Sequence, residues 1–368
     1  MATSRLFEPL ALTRGAPLKN RFVLAPLTNT QSHADGTLSD DEYRWLTMRA
    51  QGGFGMTITC AAYVQRNGQG YPGQLGAFDG AHVPGLSRLA AGVKAAGSVA
   101  TLQLAHQGAR SLAGLEHVGP SDDAESGARA LTEHEVERLV EDFAAAALRA
   151  ERAGFDGVEI HAAHGFLPTQ FLSLAINHRT DRWGGSLESR ARLILEVLAR
   201  VRRACRPDFQ LGLRLSPERF GLKLAEVREV AQQAMRSGHI DYLDMSLWDV
   251  TKEPEEVEFK GRTLMSWFTD LDRGPVRLGV AGGIRGAQDA ETALQNGADY
   301  VLIGKAAILA HDFPVRVKAD SGYVSPSLPF SAAFLVSEGL GPAFIDYMRK
   351  SAGFVAVPNP HNSAGAAK

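Results

Sequence analysis

Three segments of the chain repeat one device. Arg152-Ala153-Gly154-Phe155-Asp156, Arg236-Ser237-Gly238-His239-Ile240-Asp241 and Gln295-Asn296-Gly297-Ala298-Asp299 each close a helical pattern on glycine and run into an apolar strand. Glycine there takes the left-handed conformation that ends a helix, which other residues resist. A helix leading straight into the next strand is a crossover, and strands joined by crossovers run parallel. Eight strand patterns can be read: Arg21–Pro26, Gly55–Cys60, Ala100–Leu104, Asp156–His161, Gln210–Leu215, Ile240–Ser246, Val276–Ala281 and Tyr300–Ile303. Helical patterns follow most of them, two opened by capping boxes at Ser39-Asp40-Asp41-Glu42 and Thr132-Glu133-His134-Glu135. Eight such units imply an α/β fold, a closed (β/α)8 TIM barrel. The alternative is an open doubly wound sheet. That sheet would normally carry Gly-x-Gly-x-x-Gly after its first strand, where Pro26-Leu27-Thr28 stands.

Composition narrows the partners. The 368 residues are 45% hydrophobic and 22% charged, ordinary for one large globular unit. A net charge of -2 gives no electrostatic reason to bind nucleic acid or an anionic membrane. Cys60 and Cys205 are too few for a disulfide framework or an iron–sulfur cluster, so a reduced, cytoplasmic setting is expected. Met1 to Leu10 lacks a charged segment followed by an apolar run, and no stretch approaches a membrane span. The expected organisation is a barrel over residues 1–320 and a C-terminal extension over 321–368. The extension should hold a short amphipathic helix near Gly341 to Lys350 and a polar tail from Val357. It could line the barrel's mouth or contact a second subunit of a homo-oligomer.

Strand alternation places polar side chains inside the barrel, where Val, Ile and Leu normally dominate. On the fourth strand Val158 and Ile160 face outward, leaving Glu159 and His161 inward, with His164 just past the strand's end. Glu159 is expected to partner a neighbouring cation. On the third strand Gln103 points in between Leu102 and Leu104. On the fifth, Arg214 points in between Leu213 and Leu215. The seventh strand ends in Gly282-Gly283, and the eighth in Gly304-Lys305 at the start of a helix. Glycines, a helix start and a lysine at neighbouring strand ends suit a phosphate. A phosphate at one rim, an amide and a guanidinium in the middle and two histidines opposite suit a flat phosphorylated cofactor, and flavin mononucleotide fits best. His161 and His164, three apart, could share a metal ion, but no third ligand stands at a recognisable spacing, so no metal is expected. Their bland reading is two satisfied core histidines.

His161-Ala-Ala-His164-Gly165, followed by Asn177-His-Arg179-Thr-Asp181-Arg-Trp-Gly184-Gly185-Ser186-Leu-Glu188-Ser-Arg190, resembles the Old Yellow Enzyme family of NAD(P)H:flavin oxidoreductases. The resemblance runs from Ala25-Pro26-Leu27-Thr28 through Gln103-Leu104-Ala105-His106 to Gly304-Lys305, roughly residues 5 to 315. It implies a barrel holding FMN, reduced by NADH or NADPH, that passes hydride to a small activated alkene. It places Ala25, Pro26, Leu27 and Thr28 along the ring, Cys60 and Gln103 at its pyrimidine side, and Arg214 beside it. Gly282, Gly283, Gly304 and Lys305 would hold the phosphate, and His161 and His164 the substrate's oxygen. Two positions depart from the family. Phe166 stands where a proton-donating tyrosine is usual, so Tyr63 or Tyr71 in the glycine-rich loop after the second strand, or water, would supply that proton. Lys305 replaces an arginine. Three functions follow: an ene-reductase; a flavin or quinone reductase, which Phe166 favours; and a non-catalytic flavin-binding barrel, against which Gln103, Arg214 and both histidines argue.

Overall fold

The computed structural model describes residues 5–356. Its centre is eight parallel strands: β1 Phe22–Leu24, β2 Met56–Ile58, β3 Val99–Ala105, β4 Gly157–Ala162, β5 Gln210–Leu215, β6 Tyr242–Trp248, β7 Arg277–Gly282 and β8 Tyr300–Ile303. Each pairs with its neighbour in chain order, and β8 returns to β1 with Leu302 opposite Val23, closing the barrel. The three repeated glycines take the left-handed conformation expected, with φ of +91° at Gly154, +71° at Gly238 and +101° at Gly297.

The helices form where polar caps and apolar spacing coincide. Thr132 and Glu135 close a reciprocal capping box at the start of Glu133–Arg152, whose buried face includes Val136, Leu139, Val140, Phe143 and Ala147. Burying such a face contributes about 1.5–3 kcal/mol per large side chain. The box expected at Ser39 forms only by half. Ser39 accepts from the Glu42 N–H, but the Glu42 carboxyl is turned into the core, where Asn29, Ser32 and Cys60 donate to it.

The barrel is sealed at the N-terminal ends of its strands. Leu10 and Leu18 exchange backbone hydrogen bonds of 2.9 Å and pack with Val23, Met56, Val99, Tyr242 and Tyr300. Gln210 holds this plug by donating to the carbonyls of Arg14 and Ala16 at 3.0 and 2.8 Å. Above it, two glycines make room for large polar neighbours. A Cβ on Gly212 would lie 2.1 Å from the Tyr242 ring, and one on Gly279 would lie 2.2 Å from Asp244 Oδ1.

The C-terminal segment packs on the helix Asp40–Gln51. Arg49 donates to the Glu338 carbonyl at 2.7 Å, and Phe344 meets Trp45 edge-on at 4.9 Å. The expected short helix spans Pro342–Arg349. The tail expected from Val357 lies outside the described residues. Among the described residues no helix is long and apolar enough to cross a membrane.

Candidate active site

The C-terminal ends of the strands open on a cavity of about 800 Å³. Ala25, Pro26 and Leu27 after β1 form an apolar wall with Leu302 and Leu309. His164, Arg214, Ser246 and Trp248 supply the polar and aromatic side, and Gly282, Gly283, Gly304 and Lys305 lie at the far end. The helix beginning at Lys305 has only five residues, so its dipole contributes less to a phosphate site than the sequence pattern suggested.

His161 comes from β4, and His164 from the turn after it, where the backbone enters the left-handed region at φ +59°. That conformation turns the second imidazole back over the first, with His161 Nε2 3.2 Å from His164 Nδ1. Burial holds His161 far below the usual imidazole range, helped by His164 and Arg214. Burial likewise holds His164 down to about 3, with Arg214 and Arg110 adding to the effect. Both rings are neutral near pH 7. Phe166 lies edge-on to His161 at 4.9 Å. His164, Arg219, Phe220 and Trp248 all have positive φ, and all lie in segments that leave the cavity ends of β4, β5 and β6. Such conformations cost on the order of 1 kcal/mol or more each and gather where a site over-determines them.

Arg214 is 5% exposed, anchored by its Nε to Ser246 Oγ at 2.8 Å, and its Nη1 has no partner within the protein. Beneath it lies a buried carboxyl pair. Gln103 Nε2 donates to Glu159 Oε1 at 2.6 Å, and the Tyr300 hydroxyl donates to Asp244. Burial, and then the neighbouring Glu159, raise Asp244 well above the carboxylate range, so it keeps its proton and donates it to Glu159. The hydrogen-bond partner of Glu159 is therefore an amide and a carboxylic acid, not the cation expected.

Four expected positions fall elsewhere. Cys60 lies past the end of β2, and its thiol turns to the Glu42 carboxyl at 2.9 Å, under a helix rather than toward the cavity. Tyr63 stacks on Phe78 at 5.1 Å and so leaves the substrate pocket assigned to it. The Tyr71 hydroxyl is buried beside Cys60 and Thr28, and burial raises it well above its usual range. Thr28, half-buried, lies against that hydroxyl and is not among the residues that line the cavity. Strand alternation over β6 would have found Asp244 and Ser246, which share a face with Tyr242. Arg285, Ser325 and Leu328 also line the cavity, and no periodic pattern marks them.

A flat phosphorylated ring suits these residues. The wall is apolar, the far end carries Lys305 and Arg285, and two buried polar groups, Arg214 Nη1 and Ser325 Oγ, have no partner in the protein. A closed parallel barrel with such a cavity and paired neutral histidines beside it defines a barrel oxidoreductase built around that ring. Residues 5–322 match the NADH:flavin oxidoreductase / NADH oxidase family, and the chain belongs to it. Its cofactor is FMN, with NADH or NADPH as reductant. The chain is 38% identical over 327 residues to the probable NADH-dependent flavin oxidoreductase YqiG of Bacillus subtilis, covering 85% of this chain and 87% of that one. It is 33% identical over 324 residues to an NADPH dehydrogenase of the same organism, covering 86% and 94%. The solved structure of morphinone reductase in complex with tetrahydroNAD superposes with a TM-score of 0.77 at 30% identity, covering 97% of this chain and 99% of that one.

Proposed function

We propose that the enzyme reduces small alkenes activated by a carbonyl, nitro or similar group. The observation that carries this reading is the pair of buried neutral imidazoles, His161 and His164, beside the cavity. A neutral imidazole N–H donates to an oxygen that gains negative charge as hydride arrives, and does so without surrendering its proton. Bound FMN would supply the hydride chemistry that links reduced nicotinamide to the alkene carbon. Arg214 holds a fixed positive charge against the ring, and Ala25, Pro26 and Leu27 exclude water from one side of it. Gly282, Gly283, Gly304 and Lys305 hold the phosphate end. Gln103, whose Nε2 is committed to Glu159, offers its carbonyl oxygen.

Phe166 favours a second reading, a flavin or quinone reductase. An acceptor reduced at oxygen needs no proton delivered to carbon, and Phe166 has none to give. Stopped-flow spectra separate the two. Reduction of the bound flavin by NADH and NADPH comes first, then reoxidation by cyclohexenone, maleimide or a quinone. Reoxidation by the alkenes at rates comparable to the quinone supports alkene reduction. Reoxidation by the quinone alone would eliminate it.

A further inference from the structure

Part of the cavity wall comes from outside the barrel strands. Arg285 follows the Gly282-Gly283 turn, and Ser325 begins a stretch of the C-terminal segment that runs to Leu328. The two are stapled together. The Ser325 N–H donates to the Arg285 carbonyl at 2.7 Å, the Ala287 N–H donates to Tyr323 at 2.9 Å, and Gly286 bridges Val324. Ser325 is only 4% exposed, yet its hydroxyl has no partner in the protein. Leaving a buried hydroxyl unpaired is costly, so the group is built to meet something the cavity receives. Arg285 is exposed, and among the described residues its guanidinium has no carboxylate partner.

The charge of a phosphate explains both. A phosphate monoester carries about -1.5 to -2 near neutral pH. Lys305 meets it as a single point charge, whereas a guanidinium supplies two parallel N–H donors as well as a second positive charge. We infer that Arg285 and Ser325 hold the phosphate of FMN together with Lys305. Because Ser325 is carried on the C-terminal segment, the phosphate then fastens that segment to the barrel. The segment is thus part of the cofactor site, and the phosphate rather than the ring couples the two.

Full-length protein loaded with FMN or with riboflavin, which lacks only the phosphate, tests this. Dissociation constants are read from flavin fluorescence. The expected result is that Arg285→Met weakens FMN at least 10-fold and Ser325→Ala about 3- to 10-fold, while riboflavin affinity stays unchanged. Arg285→Lys, which keeps the charge and loses the fork, should fall between wild type and Arg285→Met. Hydrogen exchange at the Ser325 and Ala287 amides should be slower with FMN than with riboflavin. An unchanged FMN-to-riboflavin ratio in Arg285→Met overturns the assignment, as does an equal loss of both flavins, which marks a purely structural role. Equal exchange with the two flavins overturns the coupling.

Discussion

His161 Nε2 and His164 Nδ1 lie 3.2 Å apart, and both rings are neutral near pH 7. Two neutral imidazoles carry two N–H protons between them. One is committed to the bond that joins them, so the pair presents one N–H outward, from either His161 Nδ1 or His164 Nε2. Removing either ring still leaves one donor. Each single alanine variant should therefore weaken a phenol such as p-hydroxybenzaldehyde by roughly 10-fold or less, about 1.4 kcal/mol. The double variant should lose more than the product of the two. The charge-transfer absorbance of the phenol complex measures it, and strictly multiplicative losses would show two independent donors instead.

Three buried histidines make the fold sensitive to acid. His106 and His164 are each held down to about 3 by burial, and His161 well below its usual range. Their folded-state values lie below the unfolded value near 6.5, so the unfolded chain takes up protons that the folded chain refuses. Stability is thus fully present above about pH 6.5 and falls as pH drops toward 3. Each histidine contributes up to ~1.4 kcal/mol per pH unit in that window, about 4 kcal/mol per unit for the three. Urea unfolding from pH 7.5 to 4.5 reads the slope. His106→Gln should remove about a third of it, and an undiminished slope in that variant would remove this explanation.

The carboxyl pair discriminates between isosteres. Asn at 244 can donate to Glu159 as the protonated Asp244 does, and can still accept from Tyr300. Asp244→Asn should therefore stay within about 1 kcal/mol of wild type. Glu159→Leu strips the Gln103 amide and the Asp244 proton of their acceptor in the barrel's interior, at a cost of about 3–5 kcal/mol. Chemical denaturation measures both. An Asp244→Asn variant as unstable as Glu159→Leu would mean that Asp244 is ionised.

Phe166 sets the last expectation. Its ring stands edge-on to His161. A hydroxyl added there brings a proton donor to the place where a reduced alkene needs one. General acids typically contribute about 10²–10⁴-fold, and a newly placed one should give at least 10-fold on the alkene half-reaction. FMN retention should not change. An unchanged or slower alkene rate would show that the missing acid is already supplied elsewhere.

Much of this architecture could be read from residue order because it is local. A glycine that ends a helix, as at Gly154, and a strand that alternates, as at β4, are decided within a few residues. The run from Asn177 to Arg190, which carries the family resemblance, is braced by equally local contacts. Asn177 donates to the carbonyls of Phe171 and Trp183, and Ser186 caps the next helix. Alternation gave the face of Glu159 but not what stands across from it, since Asp244 arrives from a strand some eighty residues later. Cys60 turns away from the place that the resemblance implied, because the strand ends at Ile58, after which facing is set by the bend of the loop and the pull of Glu42. Ser325 carries no local signal at all; only tertiary packing brings it to the cavity.

The Leu10 and Leu18 plug has a kinetic consequence. With the base stoppered, the described residues leave the cavity open at the C-terminal ends of the strands, and electron donor and electron acceptor that share this mouth use it in turn. Initial-rate plots at varied acceptor concentration should give parallel lines, and the oxidised nicotinamide should compete with the acceptor for the reduced enzyme.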